Sequence, residues 1–261
     1  MIELSNVKVS VGDRSASAFT VHVDKMEVKG KAVLLGPNGS GKTTLLRTMA
    51  GLIPYEGSIR INSVEVNEAK ELLEVSSNLP EIYNIGYLVD GLIEILEDFK
   101  GIDRNEFMGI MRRLNINVRE ILRKPVFALS AGQSAMVRLA LALSSRPKVI
   151  LIDEPFENVD PARRSVVISM LLEYGEEGII VTHELDVLGA FKALNAYLML
   201  EGRLYGPVKV GDLLESGIVE GEAQGALLTV SISGKTYSIV KGGGVKFGEL
   251  GSLNRLYGLL G

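Results

Sequence analysis

No cysteine occurs among the 261 residues, which excludes both a disulfide framework and a thiolate zinc site. No apolar run approaches the roughly 20 residues that a helix needs to cross a bilayer. If the chain serves a membrane process, other chains are expected to supply the membrane part. The opening Met1-Ile2-Glu3-Leu4-Ser5-Asn6 has no basic stretch leading into an apolar one, so it does not read as a secretory signal. A basic excess is missing too. Against 32 acidic residues stand 28 basic ones, for a net charge of −4. With no long run of one sign either, no nucleic-acid partner is expected. What the chain does have is apolar material: 46% hydrophobic residues with 23% charged ones. That suffices for one large α/β domain, alone or with a small appendage. No internal repeat of fixed period is evident.

The most informative stretch is Gly36-Pro37-Asn38-Gly39-Ser40-Gly41-Lys42-Thr43. Before it, Lys31-Ala32-Val33-Leu34-Leu35 reads as a buried strand. After it, Thr44-Leu45-Leu46-Arg47-Thr48-Met49-Ala50 is rich in helix formers. A strand, a glycine-rich turn ending in Gly-Lys-Thr, and a helix form the context of a phosphate-binding P-loop. Its glycines let consecutive backbone N–H groups converge on an anion, and the helix N-terminus adds its positive end. Lys42 is then placed to reach the β- and γ-phosphates, and the Thr43 hydroxyl to ligate Mg²⁺.

Around this centre the pattern changes along the chain. Residues 2 to 9 and 19 to 28 alternate apolar and polar, which predicts half-buried antiparallel strands with His22 on the outer side. Residues 57 to 62 read as a further strand. From 86 to 145 the apolar residues recur at helical spacing, as in Leu92, Ile93, Leu96 and Phe99 or Met136, Val137, Leu139 and Ala140. This predicts a mainly helical insert. Residues 148 to 152 and 178 to 182 then look like fully buried parallel strands around a helix near 161 to 174. Beyond about residue 217 glycines thicken. A hairpin is expected from Leu227–Ile232 and Thr236–Val240 through Gly234-Lys235. Phe247, Leu250, Leu253, Leu256 and Leu260 suggest a last helix docked on the body of the protein.

Two more segments carry chemistry. Val149-Ile150-Leu151-Ile152 is an apolar strand ending in Asp153-Glu154-Pro155. In a P-loop protein, Asp153 is placed to hold Mg²⁺ directly or through water, and Glu154 to orient and deprotonate an attacking water. A strand followed by an acidic helix cap is the plainer alternative. Leu129-Ser130-Ala131-Gly132-Gln133 precedes a helix, so Ser130 fits an ordinary N-cap. A capped N-terminus with exposed glycine backbone is also an anion site.

These last residues resemble the Leu-Ser-Gly-Gly-Gln signature of the ATP-binding domain of ABC (ATP-binding cassette) proteins, with Ala131 a small-for-small change at the third position. Motif order, spacing and helical insert match over about residues 2 to 205. The resemblance implies an α/β fold: a P-loop NTPase core with a mixed sheet flanked by helices, an antiparallel β subdomain and a helical subdomain insert at about 86–145. The ATP-binding domain would span 1–216, followed by a small C-terminal α+β extension over 217–261. ATP and Mg²⁺ are the implied cofactors. The ATP-binding set is Gly36, Pro37, Asn38, Gly39, Ser40, Gly41, Lys42, Thr43 and Thr44, and the metal set is Thr43, Glu81 and Asp153. Lys42, Glu154 and His183 are the implied catalytic residues, His183 as the switch histidine at the γ-phosphate. Asp160 falls on the D-loop aspartate; Asp160-Pro161 also makes an ordinary helix start. Ser130, Ala131, Gly132 and Gln133 would act in trans, on ATP held by the P-loop of a second copy in a head-to-tail homodimer.

Two positions depart from the family pattern. Glu81 stands in the Q-loop, Leu79-Pro80-Glu81, where glutamine is usual, and adds charge near the metal. The aromatic that usually stacks on adenine is replaced by Val11, with Phe19 the nearest ring. The implied function is the ATP-hydrolysing subunit of an ABC transporter, cytoplasmic and peripheral on the inner face of the membrane, docked on a separate permease. The Leu-Pro-Glu and Asp-Glu-Pro-Phe runs faintly resemble exporter-type subunits, leaving direction and cargo open. The alternative is a soluble ABC ATPase serving as a scaffold or assembly factor, iron–sulfur, ribosome or DNA related. For the DNA-related type the short insert is a counter-argument, since long coiled coils are expected there.

Overall fold

The computed structural model describes residues 1–12, 19–69, 72–83, 87–250 and 252–255. In chain order the elements are β1 (Ile2–Val11), β2 (Phe19–Val28), β3 (Lys31–Leu35), α1 (Lys42–Met49), β4 (Glu56–Ile61), β5 (Val64–Glu65) and β6 (Val75–Ser77). Four helices follow: α2 (Val89–Lys100), α3 (Arg104–Arg113), α4 (Val118–Leu122) and α5 (Ala131–Ser144). Then come β7 (Val149–Asp153), α6 (Pro161–Glu173), β8 (Glu177–Thr182), β9 (Asn195–Leu200), β10 (Arg203–Lys209) and α7 (Val210–Leu214). The chain continues into β11 (Ser216–Glu220), β12 (Leu228–Ile232), β13 (Lys235–Lys241) and β14 (Val245–Lys246).

The fold is mixed α/β, in two units: Met1–Ala69 with the chain from Val181 onward, and Lys70–Ile180. In the first unit the strands run in the order β5-β4-β1-β2-β10-β9-β3. β1 and β2 pair antiparallel from Ile2↔Val28 to Val11↔Phe19. β3 and β9 pair parallel, Ala32↔Asn195 to Leu35↔Leu198. The alternation read from the sequence follows from this pairing. Ile2, Leu4, Val7 and Val9 are at most 1% exposed; the alternation changes parity at Asn6, which holds φ 51° where the register with β4 shifts between Ser5 and Lys8. β3, by contrast, is apolar throughout from Ala32 to Leu35 and buried on both faces. The same unit carries a second, four-stranded antiparallel sheet in the order β12-β13-β11-β14. The backbone N–H of Ser231 donates to the Tyr205 hydroxyl at 3.2 Å, tying this sheet to the first.

In the second unit β6 and β7 pair parallel, Val75↔Val149 to Ser77↔Leu151. The helical stretch is present as α2 to α5, and local chemistry sets its ends. Asp103 caps α3 by accepting from the N–H groups of Asn105 (2.7 Å) and Glu106 (3.1 Å). Gly101 ends α2 in the left-handed region at φ 65°. Strand β6 has no signal in the sequence: Val75-Ser76-Ser77 is short and two-thirds serine, although all three are buried.

Two expectations shift at the far end of the chain. The hairpin forms, but its two-residue loop is Ser233-Gly234, at φ 51° and 77°. Lys235 instead pairs with Ile232 as the first residue of β13. A two-residue loop with both central φ angles positive matches the strand twist, and Gly234 suits its second place. Within the span where a final helix was expected, residues Phe247–Glu249 form a 3₁₀ turn and Asn254 and Arg255 are helical. Phe247, Leu250 and Leu253 are nonetheless buried, at 1%, 3% and 0%; Leu256 and Leu260 lie outside the described residues.

Candidate functional site

Strand β3 delivers the chain into the P-loop, and steric crowding explains its glycines. A Cβ on Gly36 would stand 2.3 Å from the Met199 carbonyl oxygen, and one on Gly41 2.7 Å from the Val21 side chain. Gly39 and Gly41 also hold φ at 76° and 106°, which side chains disfavour. Lys42 is 5% exposed. Its ammonium donates to the carbonyl oxygens of Gly36 (2.7 Å) and Pro37 (3.0 Å), so it lies folded across the loop. The cap residue of α1, Gly41, offers no side-chain acceptor, and the first turn holds no acidic residue. The Ser40 hydroxyl is buried with no hydrogen-bond partner among the described residues. A concave run of backbone with a buried ammonium and an uncapped helix start is suited to an anion.

Phe19 sits beside this loop. Two of its ring carbons lie 3.2 and 3.3 Å from where a Gly41 Cβ would be, and the residue is 38% exposed. Val11, expected at the family's aromatic position, is its direct cross-strand partner. His183 belongs to the same unit, just past β8, and its carbonyl oxygen accepts from the Leu253 N–H at 3.1 Å.

The acidic residues are in the other unit. Asp153 ends β7, and a buried side chain that sequence reading missed fixes its backbone. The Asn78 carboxamide accepts from the Asp153 N–H (2.7 Å) and donates to its carbonyl oxygen (2.8 Å). Glu154 follows at φ 40°, a left-handed conformation that a non-glycine residue keeps only where its surroundings impose it. Burial lowers the pKa of the Arg138 guanidinium on α5, while Tyr83, Glu81, Asp153 and Glu157 oppose that shift. Glu81 and Asp153 thus share one cationic neighbour. Among the described residues no group of three or more His, Asp or Glu side chains is arranged to hold a metal. Thr43 in the first unit and Glu81 and Asp153 in the second each offer oxygens, the donor type of Mg²⁺, an ion usually bound by one or two carboxylates plus phosphates and water instead of an all-protein cage.

The signature segment opens α5 with a complete capping box. The Ser130 hydroxyl accepts from the Gln133 N–H at 3.2 Å, and the Gln133 side chain accepts from the Ser130 N–H at 3.2 Å. Asp160 occupies the cap position of α6 with Pro161 next, but its carboxylate pairs with Arg163 instead of capping. Ser130, Ala131, Gly132, Gln133 and Asp160 together line a cavity of about 850 Å³. A Cβ on Gly132 would stand 2.8 Å from the Asn158 carbonyl oxygen, so the glycine permits this close approach. Neither sequence motif reveals that the two segments meet.

Among the described residues no helix is long and apolar enough to cross a membrane. Residues 24–157 match the family model for the ABC transporter. A crystal structure described provisionally as a cobalt transport ATP-binding protein is 49% identical, covers 100% of each chain and superposes with a TM-score of 0.93. The glutamate/aspartate import ATP-binding protein of Escherichia coli is 30% identical over 221 residues, 78% of this chain and 89% of that protein. The energy-coupling factor transporter ATP-binding protein of Enterococcus faecalis is 29% identical, over 78% of this chain and 77% of that one. The chain belongs to the ABC transporter family, as one of its ATP-binding proteins.

Proposed function

We propose that the chain hydrolyses ATP to drive transport through a separate membrane subunit, and that it does so as a homodimer. The observation that carries this reading is the P-loop itself, with Lys42 buried against its own carbonyl oxygens and the α1 N-terminus left without a side-chain cap. On ATP binding, Lys42 exchanges these carbonyl oxygens for β- and γ-phosphate oxygens, which are the stronger, charged acceptors. The amides of Asn38 to Thr44 follow the phosphate chain. Phe19 offers its exposed face to the adenine in place of the ring missing at Val11. Thr43, Asp153 and Glu81 would offer oxygens to Mg²⁺, which would supply charge neutralisation at the β- and γ-phosphates. Glu154 orients the water and takes its proton, and His183 contacts the γ-phosphate. The hydroxyl of Ser130 from a second copy completes the enclosure of each nucleotide, with Asp160 beside it.

The relatives named for import support an uptake system over an exporter. A docking surface for the permease is offered where α2 begins. Tyr87 and Phe127, 68% and 76% exposed, meet edge to face at 5.5 Å between ring centres. Such docking places the chain at the cytoplasmic face of the membrane, with 217–261 as an extension beyond the ATP-binding domain. A tagged Glu154→Gln variant tests the reading. It binds ATP-Mg²⁺, elutes as a dimer, and carries a polytopic membrane protein in near-equal amount from gently solubilised membranes. A variant that remains monomeric while hydrolysing normally removes Glu154 as the base; soluble partners alone shift the function to a scaffold ATPase.

A further inference from the structure

Residues 252–254 make three successive contacts on the nucleotide-binding side of their own unit. Ser252 forms an antiparallel bridge with Glu184. Leu253, fully buried, donates its N–H to the carbonyl oxygen of His183 at 3.1 Å. The Asn254 side-chain oxygen accepts the Asn38 N–H of the P-loop at 2.7 Å, across 216 residues of chain. The segment is shaped for this: the Asn254 N–H is held by the Ser252 hydroxyl (3.3 Å) and the Arg255 N–H by the Ser252 carbonyl oxygen (3.2 Å). A buried leucine therefore anchors a polar side chain that would otherwise be free to swing in solvent. That side chain occupies an amide of the loop whose amides serve phosphate.

We propose that residues 252–254 form a latch that holds the P-loop and the His183 segment in their nucleotide-free arrangement, and that ATP displaces it. The proposal rests on the nucleotide-site reading above and adds its regulation. A neutral carboxamide oxygen is a weaker acceptor than an ionised phosphate oxygen, so a nucleoside triphosphate wins the Asn38 amide. Because Leu253 is bonded to His183, loss of the Asn254 contact is felt at the residue assigned to the γ-phosphate. The same latch connects nucleotide occupancy to the four-stranded sheet, since the chain leaves β14 only a few residues before Ser252.

Titration of the full chain with a fluorescent ATP analogue and Mg²⁺ tests the latch. In Asn254→Ala the competing acceptor is gone, and affinity rises about 5-fold, the worth of one hydrogen bond. In Asn254→Asp the acceptor becomes an anion that repels phosphate, and affinity falls about 10-fold. Asn254 is exposed, so without nucleotide Asn254→Ala lowers the unfolding midpoint only by the roughly 2–4 °C that one lost hydrogen bond is worth in a chain of this size. A lower midpoint with a higher affinity in Asn254→Ala, against a lower affinity in Asn254→Asp, is not the mark of a merely structural residue. Unchanged or weaker binding in Asn254→Ala overturns the latch; weaker binding makes Asn254 part of the nucleotide site instead. In the unaltered protein, the Leu253 amide exchanges its hydrogen faster once a non-hydrolysable ATP analogue is added, and equal protection with and without it also overturns the proposal. Failure of the unaltered chain to bind ATP at all defeats the nucleotide-site reading and the latch with it; binding without the Asn254 effects defeats only the latch.

Discussion

Helix α1 starts at Gly41, which carries no side chain to cap it, and no acidic residue lies in its first turn. Helix α5 starts at Ser130, whose hydroxyl and backbone N–H are both engaged by Gln133. Both starts bear motifs read as phosphate contacts, yet they offer different groups. At α1 the backbone amides are themselves the surface proposed to take the ligand, and the Lys42 ammonium is buried against the loop's carbonyl oxygens. At α5 the Ser130 and Gln133 amides are already engaged, and the Ser130 O–H remains as a donor. A hydroxyl that accepts a hydrogen bond from an amide can still donate its own hydrogen, and the capping box fixes where that donor stands. One loop can surround a phosphate; the other can add a directed contact to a phosphate held elsewhere.

The comparison breaks most easily at Lys42. Lys42→Ala removes the only point charge in the P-loop, and ATP turnover measured by phosphate release falls about 10²-fold or more. Retained turnover would mean that amides alone suffice there. Ser130→Arg is the counterpart in the second region. It abolishes cooperative turnover while nucleotide binding to the monomer, followed by fluorescence, stays at the parental level; loss of that binding would place Ser130 in the same pocket as its own P-loop. The smallest effect sharpens the structural half of the contrast. Ser130→Ala removes the cap of α5 and costs about 1 kcal/mol, a fall of roughly 2–4 °C in thermal midpoint for a chain of this size. At α1 no side-chain cap exists to be removed.

Local patterns made much of this legible in the sequence. Four apolar residues in a row gave the buried strand β7, and alternation gave β1 and β2, because side-chain period follows directly from strand geometry. Ser130 followed three residues later by Gln133 is a capping box in any context. The glycines of the P-loop were readable because a tight turn around an anion admits few other residues. Strand β6 was not readable: Val75-Ser76-Ser77 has little strand propensity, and its pairing with β7 comes from a neighbour more than 70 residues away.

Sequence by itself therefore determined β1, β2, β3, β7 and β8, the helical insert, the P-loop motif, the paired carboxylates at 153 and 154, and the family to which they point. Tertiary structure alone decided that Asn78 locks the backbone of Asp153, that Phe19 lies beside Gly41, and that Asn254 reaches Asn38. The reason is physical. A motif is a short-range arrangement imposed by backbone sterics and local hydrogen bonding, and it repeats wherever the same residues recur. A contact between residues 75 or 216 positions apart exists only after the sheet has been ordered and the chain wrapped back on itself.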